Sequence, residues 1–366
     1  MKQLLTILIA LLSTSSYSQN RQIKVSISTN IEVINALTIP LYPEMLQDSI
    51  KDPWMFENTQ LMRLANNYFK PFYNDIAVVK SKYLMDKLGT GIYLLALYYE
   101  DLPAVKKKLE IPEIIWTEVS KDKDSALMII DNYFKAASQF YIRSKFKKFQ
   151  AKYRVVYSQS IQQVMQNMPG KNFISTLEKY YGDQKNSYHI ILMPFFKSEW
   201  GMGWETSTKD NRKNIYNITS PFNKQVVAKN EIKEVGFNDA QKIANLSIHE
   251  FGHSFVNTLT STEPYLTEIK KYDSLYKQIE SAKQYSDWQT QFNEYVVRAG
   301  EIIVMRQLGN SDFADRTKEN YKDWNYLDYF IAQMSNYTNE RTTYKNFKAF
   351  LPILIKNLET INNTKK

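Results

Sequence analysis

Asn238–Leu259 reads NDAQKIANLSIHEFGHSFVNTL, and the spacing inside it decides how the rest of the chain is to be read. Ala244, Ile248, Phe251 and Phe255 recur at three- and four-residue intervals, the mark of an apolar helix face, and Asn238 or Asp239 can cap the first turn. On such a helix, residues four apart project from the same side, so His249 and His253 can reach one metal ion. Glu250 follows the first histidine directly, which places its carboxylate beside the ion. There it can accept a proton from a water that the ion has acidified. The chain has three histidines in 366 residues; two of them falling into His-Glu-x-x-His by accident has a probability on the order of one in a thousand. The competing reading is a surface helix that carries unrelated histidines.

Upstream, Tyr188–Phe196 (YHIILMPFF) is an apolar run of strand length, and the Gly- and Trp-bearing stretch KSEWGMGWETSTKDNRKN follows it. Asn214–Ile218 and Gln225–Val235 are also strand-like, so a small antiparallel sheet is predicted over residues 186–236. Residues 23–33 alternate apolar and polar (Ile23, Val25, Ile27, Ile31, Val33), which reads as a strand or hairpin. From about Phe56 to Gln166 the period becomes helical, with apolar stripes at Leu61, Leu64, Ala65, Tyr68 and Phe69 and again from Leu127 towards Phe149. These aromatic stripes read as core. Downstream, helices are predicted over Tyr285–Leu308, Trp324–Met334 and Tyr344–Ile361, the last interrupted at Pro352.

Composition bounds the chemistry. The chain opens MKQLLTILIALLSTSSYSQN, the pattern of a secretory signal peptide cut after residue 18, and no later stretch is apolar and long enough to span a bilayer. A secreted or periplasmic location is expected. There is no cysteine, so thiol nucleophiles and thiolate metal sites are excluded, and any transition-metal site must use histidine and carboxylate. Net charge is +9, falling to +8 without Lys2; the lysines, as in KSKFKKFQAK, read as solvated helix faces, and no nucleic-acid partner is expected.

The segment HEFGH resembles the active-site helix of zincin peptidases, and IILMPFF resembles the edge strand on which those enzymes hold an extended substrate, which would give Leu192 and Met193 a place beside it. The metzincin pattern, with glycine and histidine three and six residues after the second histidine, does not occur: Val256 and Leu259 stand there. The chain is therefore similar to gluzincins, in which an acid from a later helix is the third zinc ligand. That resemblance implies Glu294, since Asn293 and Glu294 echo the Asn-Glu pair that opens the family's second helix. Arg298 and Glu301 share its face and would tune the site, although Arg298 occupies a position where better-known members carry an acid. Glu301 and Asp273 remain rivals for the third ligand. A tyrosine or histidine commonly assists the oxyanion in gluzincins; Tyr337, set in a loop-like stretch, is the candidate, and His189 could face the cleft. Trp200, Gly201, Gly203 and Trp204 would form a flap or, equally, a packed turn. The mature chain also resembles an uncharacterised family of secreted bacterial proteins with an HEFGHSF-type helix and a later Glu-x-x-x-Arg-Ala segment, here Glu294–Ala299.

The expected fold is α+β and zincin-like, mainly helical, with a strand-and-helix lobe over residues 19–181 packed as one unit against a catalytic region over 182–366. The expected function is a zinc-dependent metallopeptidase acting on peptide or protein substrates. The alternative is a zincin-fold binding protein with structural zinc or lost activity.

Overall fold

The alternation expected over residues 23–33 stops at Ile27. In the computed structural model, which describes residues 23–41, 59–228 and 231–363, Ile23–Ile27 forms strand β1 and Thr29–Thr38 forms helix α1. The Ser28 side chain accepts from the Ile31 N–H and caps the helix. Ile31 and Val33 thus belong to a helix buried nearly all round, which erases the polar stripe that would have announced it. The expected signal peptide lies outside the described residues.

Helices then dominate as far as Tyr181: α2 (Gln60–Phe69), α3 (Ile76–Leu88), α4 (Glu113–Val119), α5 (Lys123–Arg143), α6 (Phe146–Lys152), α7 (Arg154–Gln166) and α8 (Phe173–Tyr181). Their aromatic stripes are core, as in the stack of Phe69 on Phe146 at 5.0 Å.

Strands β2 (Ser187–Leu192), β3 (Gly201–Ser207) and β4 (Lys213–Thr219) join β1 in one mixed sheet of order β1-β2-β4-β3. The β1–β2 and β2–β4 pairs are parallel and only β3–β4 is antiparallel, which corrects the antiparallel sheet expected. The long helical excursion between β1 and β2 supplies the crossover that a parallel pair needs. A second correction follows from the order. IILMPFF is no edge strand: β2 is flanked by β1 and β4, and Leu192 and Met193 are fully buried. The edges are β1 and β3, and β3 is made from the stretch read as a flap or turn. Val226–Ala228 (β5) and Glu231–Glu234 (β6) form a separate ribbon outside this sheet.

Helix α9 (Ala240–Thr260) packs across β3 and β4, with Asp239 accepting from Lys242 N–H at its start. After α10 (Tyr265–Lys270), helix α11 (Trp288–Gln307) lies against α9 and is capped by Asp287. Next come α12 (Ser311–Asn320), α13 (Leu327–Asn339) and α14 (Phe347–Asn363), which runs through Pro352 rather than breaking there. A proline six residues into a helix removes one ladder bond, and Phe350, Leu351, Leu354, Ile355 and Leu358 bury enough surface to hold the helix through it. One core cluster runs from Ile31 to Leu358.

Candidate metal centre

Two adjacent helices bring four chemical groups together. From α9, His249 and His253 point their Nε2 atoms at one another, 3.2 Å apart. From α11, the Glu294 carboxylate closes the triangle, with Oε1 3.3 Å from His253 Nε2 and Oε2 3.6 Å from His249 Nε2. Bonds of about 2.0–2.1 Å to a tetrahedral ion separate its ligands by about 3.3–3.4 Å, so the three donors stand at the edges of such a site. With the ring proton on Nδ1 in both imidazoles, the two Nε2 lone pairs face one another, and a cation between them would accept both. The residues present fit a metal.

The outer nitrogens of both imidazoles are engaged. His249 Nδ1 lies 2.9 Å from Glu301 Oε2, and His253 Nδ1 lies 3.3 Å from Asn257 Oδ1. Each acceptor draws the ring proton to Nδ1 and leaves Nε2 free to ligate. Glu301 is fully buried and also accepts from the Tyr321 hydroxyl at 3.3 Å. Arg298, one turn after Glu294, places Nη2 3.0 Å from Glu294 Oε2. Its guanidinium sits 4.2 Å from the Tyr321 ring centroid and 4.3 Å from that of Trp324, a cation–π cage that locks it towards the ligand.

Glu250 is buried against β3. Burial raises its pKa above the usual carboxylate value, and the two histidines and the Gly203 N–H oppose that rise. A side chain at Gly201 would lie 2.5 Å from Glu250 Oε1, and one at Gly203 would lie 2.0 Å from the Glu250 carbonyl oxygen. The glycines therefore admit helix α9 to the strand, a role different from the flap read in the sequence. Burial also raises Glu294, but Arg298 and the two histidines outweigh it and hold this carboxyl well below the usual range. His253 is pushed the other way: burial lowers its pKa, yet Glu294 and Glu250 lift it to about 9. With both imidazoles neutral, as metal ligation requires, three ionised carboxylates at Glu250, Glu294 and Glu301 against Arg298 would leave this buried cluster at −2, which one divalent ion neutralises.

The remaining sequence candidates fall elsewhere. Tyr337 is a buried residue of α13, not of a loop, and its hydroxyl donates to the Tyr180 carbonyl at 2.8 Å and accepts from Arg341. Asp273 lies exposed in the short turn Asp273–Leu275, outside the donor group, and Glu301 contacts His249 as an outer partner. His189 stacks on Tyr216 at 4.7 Å, and burial and two lysines lower it to about 4. Trp200 packs edge-on against Phe196 and Tyr93 at the entry to β3.

Tyr285, in the loop before α11, was missed by the sequence reading. Its hydroxyl is pushed up to about 12, first by burial and then by the charge of Glu294, with Glu250 adding to the rise and Arg298 opposing it. It therefore stays protonated at neutral pH, within electrostatic reach of the carboxylates of the site. Only its place ahead of the Asn293–Glu294 helix could have pointed to it among 26 tyrosines. Asn257, four residues after His253, was more accessible, because that spacing repeats the one between the histidines.

Neither a curated protein nor a solved structure matches the chain. A family model described as a domain of unknown function (DUF4932) matches residues 23–357, and the chain belongs to that family.

Proposed function

We propose that this protein is a zinc-dependent peptidase of gluzincin type, acting outside the cytoplasm once its leader is removed. The observation that carries this reading is the buried donor group of His249, His253 and Glu294, with the imidazoles 3.2 Å apart, the two carboxylate oxygens 3.3 and 3.6 Å from them, and Glu250 beside it. When bound, zinc supplies Lewis acidity that acidifies water and polarises a carbonyl. Glu250 takes up the proton of the attacking water and returns it to the leaving amine; a carboxyl raised by burial is suited to both halves of that transfer. Tyr285, which keeps its proton, would donate a hydrogen bond from its hydroxyl to the developing oxyanion. The outer edge of β3 pairs with no other strand among the described residues and begins at Gly201, against Glu250. A peptide added there in extended form presents its backbone to the site. A purely structural ion has no use for an adjacent buried base, and this favours catalysis over the binding-protein alternative.

The test is metal analysis together with cleavage of a peptide library. The wild type is expected to carry one zinc per chain and to cleave; Glu250→Gln should keep the zinc and lose at least about 100-fold in kcat. A wild type without affinity for zinc sinks the proposal, and equal turnover by both proteins removes Glu250 from the chemistry.

A further inference from the structure

Residues 132–177 contain eight lysines and arginines and no aspartate or glutamate, in a chain of net charge +9, so this stretch holds nearly all of the excess. The fold gathers these cations at one corner. Helix α5 ends at Arg143, Lys145 turns the chain in left-handed backbone with φ 54°, α6 occupies Phe146–Lys152, and α7 starts at Arg154. Phe146 and Phe149 point inward, each with its ring centroid 5.0 Å from that of Phe69. Lys145, Lys147, Lys148, Lys152 and Arg154 are left exposed on the outside. Arg143 is neutralised by Asp75 at 2.7 Å; among the described residues no carboxylate pairs with the other five. Two branched aliphatic side chains flank the corner with no core to enter, Ile142 at 61% exposure and Val155 at 56%.

Solvated helix faces ordinarily interleave both signs of charge. Lysines of one sign beside exposed branched aliphatics compose a surface for the boundary between charged headgroups and acyl chains. A nucleic-acid strand would use outward aromatic faces on which bases stack; here the phenylalanines face inward, Lys152 lies over the Tyr153 ring, and four of the five cations without a carboxylate partner are lysines.

We propose that the α5–α6–α7 corner docks the protein on an anionic lipid bilayer. Lys145, Lys147, Lys148, Lys152 and Arg154 meet headgroup phosphates, and Ile142 and Val155 enter the layer beneath them. The corner contributes nothing to the metal centre, so the proposal stands apart from the peptidase reading.

Co-sedimentation of the purified protein with phosphatidylcholine vesicles, with and without phosphatidylglycerol, tests it. Binding should require phosphatidylglycerol and weaken with salt. The triple variant Lys145→Glu, Lys147→Glu, Lys148→Glu should lose at least about 100-fold in partition coefficient, at about fivefold per lysine. Ile142→Ser with Val155→Ser should lower partition and leave the salt dependence unchanged. Every substituted residue is exposed, so both variants should keep the wild-type melting curve and zinc content. Failure of the wild type to bind, binding indifferent to phosphatidylglycerol, or equal binding by the triple variant overturns the proposal. So does tight binding of an oligonucleotide without binding to vesicles.

Discussion

Glu301 holds His249 at the ring nitrogen that faces away from His253 and Glu294, and its fully buried carboxylate also accepts from Tyr321. Removing it frees the imidazole to rotate and takes an acceptor from Nδ1–H. Glu301→Ala is therefore expected to weaken zinc binding by about 10- to 100-fold in a chelator competition; unchanged affinity would make Glu301 a bystander. Tyr285 and Tyr337 make a paired test of the oxyanion role. Tyr285→Phe should lower kcat by about 100-fold with little change in KM. Tyr337→Phe, which loses its bond to the Tyr180 carbonyl and the one it accepts from Arg341, should cost about 1–3 kcal/mol of stability and leave kcat alone. The reverse pattern would restore Tyr337 to the role read from the sequence. His249, Glu250 and His253 were legible because helix geometry alone sets residues four apart on one side and turns the residue after the first to the flank of that side. Tyr285 was not, because its nearness to Glu294 depends on how a loop enters α11.

At the scale of elements, the site depends on how closely α9 lies on β3. Gly201 and Gly203 are two apart on a strand, so both turn the same face to the helix. A methyl at position 203 would meet the Glu250 carbonyl at 2.0 Å, a contact that only movement of helix or strand can relieve. Gly203→Ala should cost about 1–3 kcal/mol in a denaturant melt and depress activity along with it, since Glu250 moves with its backbone. A variant as stable and active as the wild type would show the contact to be soft. Where α9 crosses α11, Gly252 and Gly300 leave room for the Tyr181 hydroxyl, which a methyl would approach to 2.8 and 3.0 Å. Small residues thus set both of the helix's close neighbours. The strand itself was misassigned from sequence because its glycines and polar residues, GMGWETS, carry little β-propensity. Pairing with β4 along its whole length makes it a strand.

Across the whole molecule, one core joins the first strand to the last helix, and it includes an ionisable group remote from the metal centre. Glu32, in the first turn of α1, is fully buried; it accepts from Tyr157 at 2.7 Å through Oε2, and its Oε1 has no partner. Burial pushes its carboxyl from 4.5 up to about 8, against the opposing effect of the Tyr157 bond. Below pH 4.5 the group is protonated whether the chain is folded or not, and it costs nothing. Between that pH and 8 the unfolded chain ionises while the folded one does not, so stability falls by about 1.4 kcal/mol per pH unit and levels off above the folded value. Glu32→Gln is expected to match the wild type in denaturant midpoint near pH 4 and to exceed it increasingly towards pH 8. An advantage that does not change with pH would mean that the site is hydrated.

The sequence by itself determined where a metal ion could be held. Without cysteine and with three histidines, only His249 and His253 stand at metal-binding spacing, and helix periodicity places them on one face whatever surrounds the helix. It also determined that apolar aromatic stripes would build a helical core, because burial follows composition. Tertiary structure alone decided the rest: that β1 pairs in parallel with a strand more than 160 residues away, that β3 and not β2 forms the sheet edge beside Glu250, and that Arg298 is caged by Tyr321 and Trp324 against Glu294. Spacing along one helix is local and its geometry is known in advance. Which strand, loop or distant ring comes to lie beside it is settled only when the whole core packs.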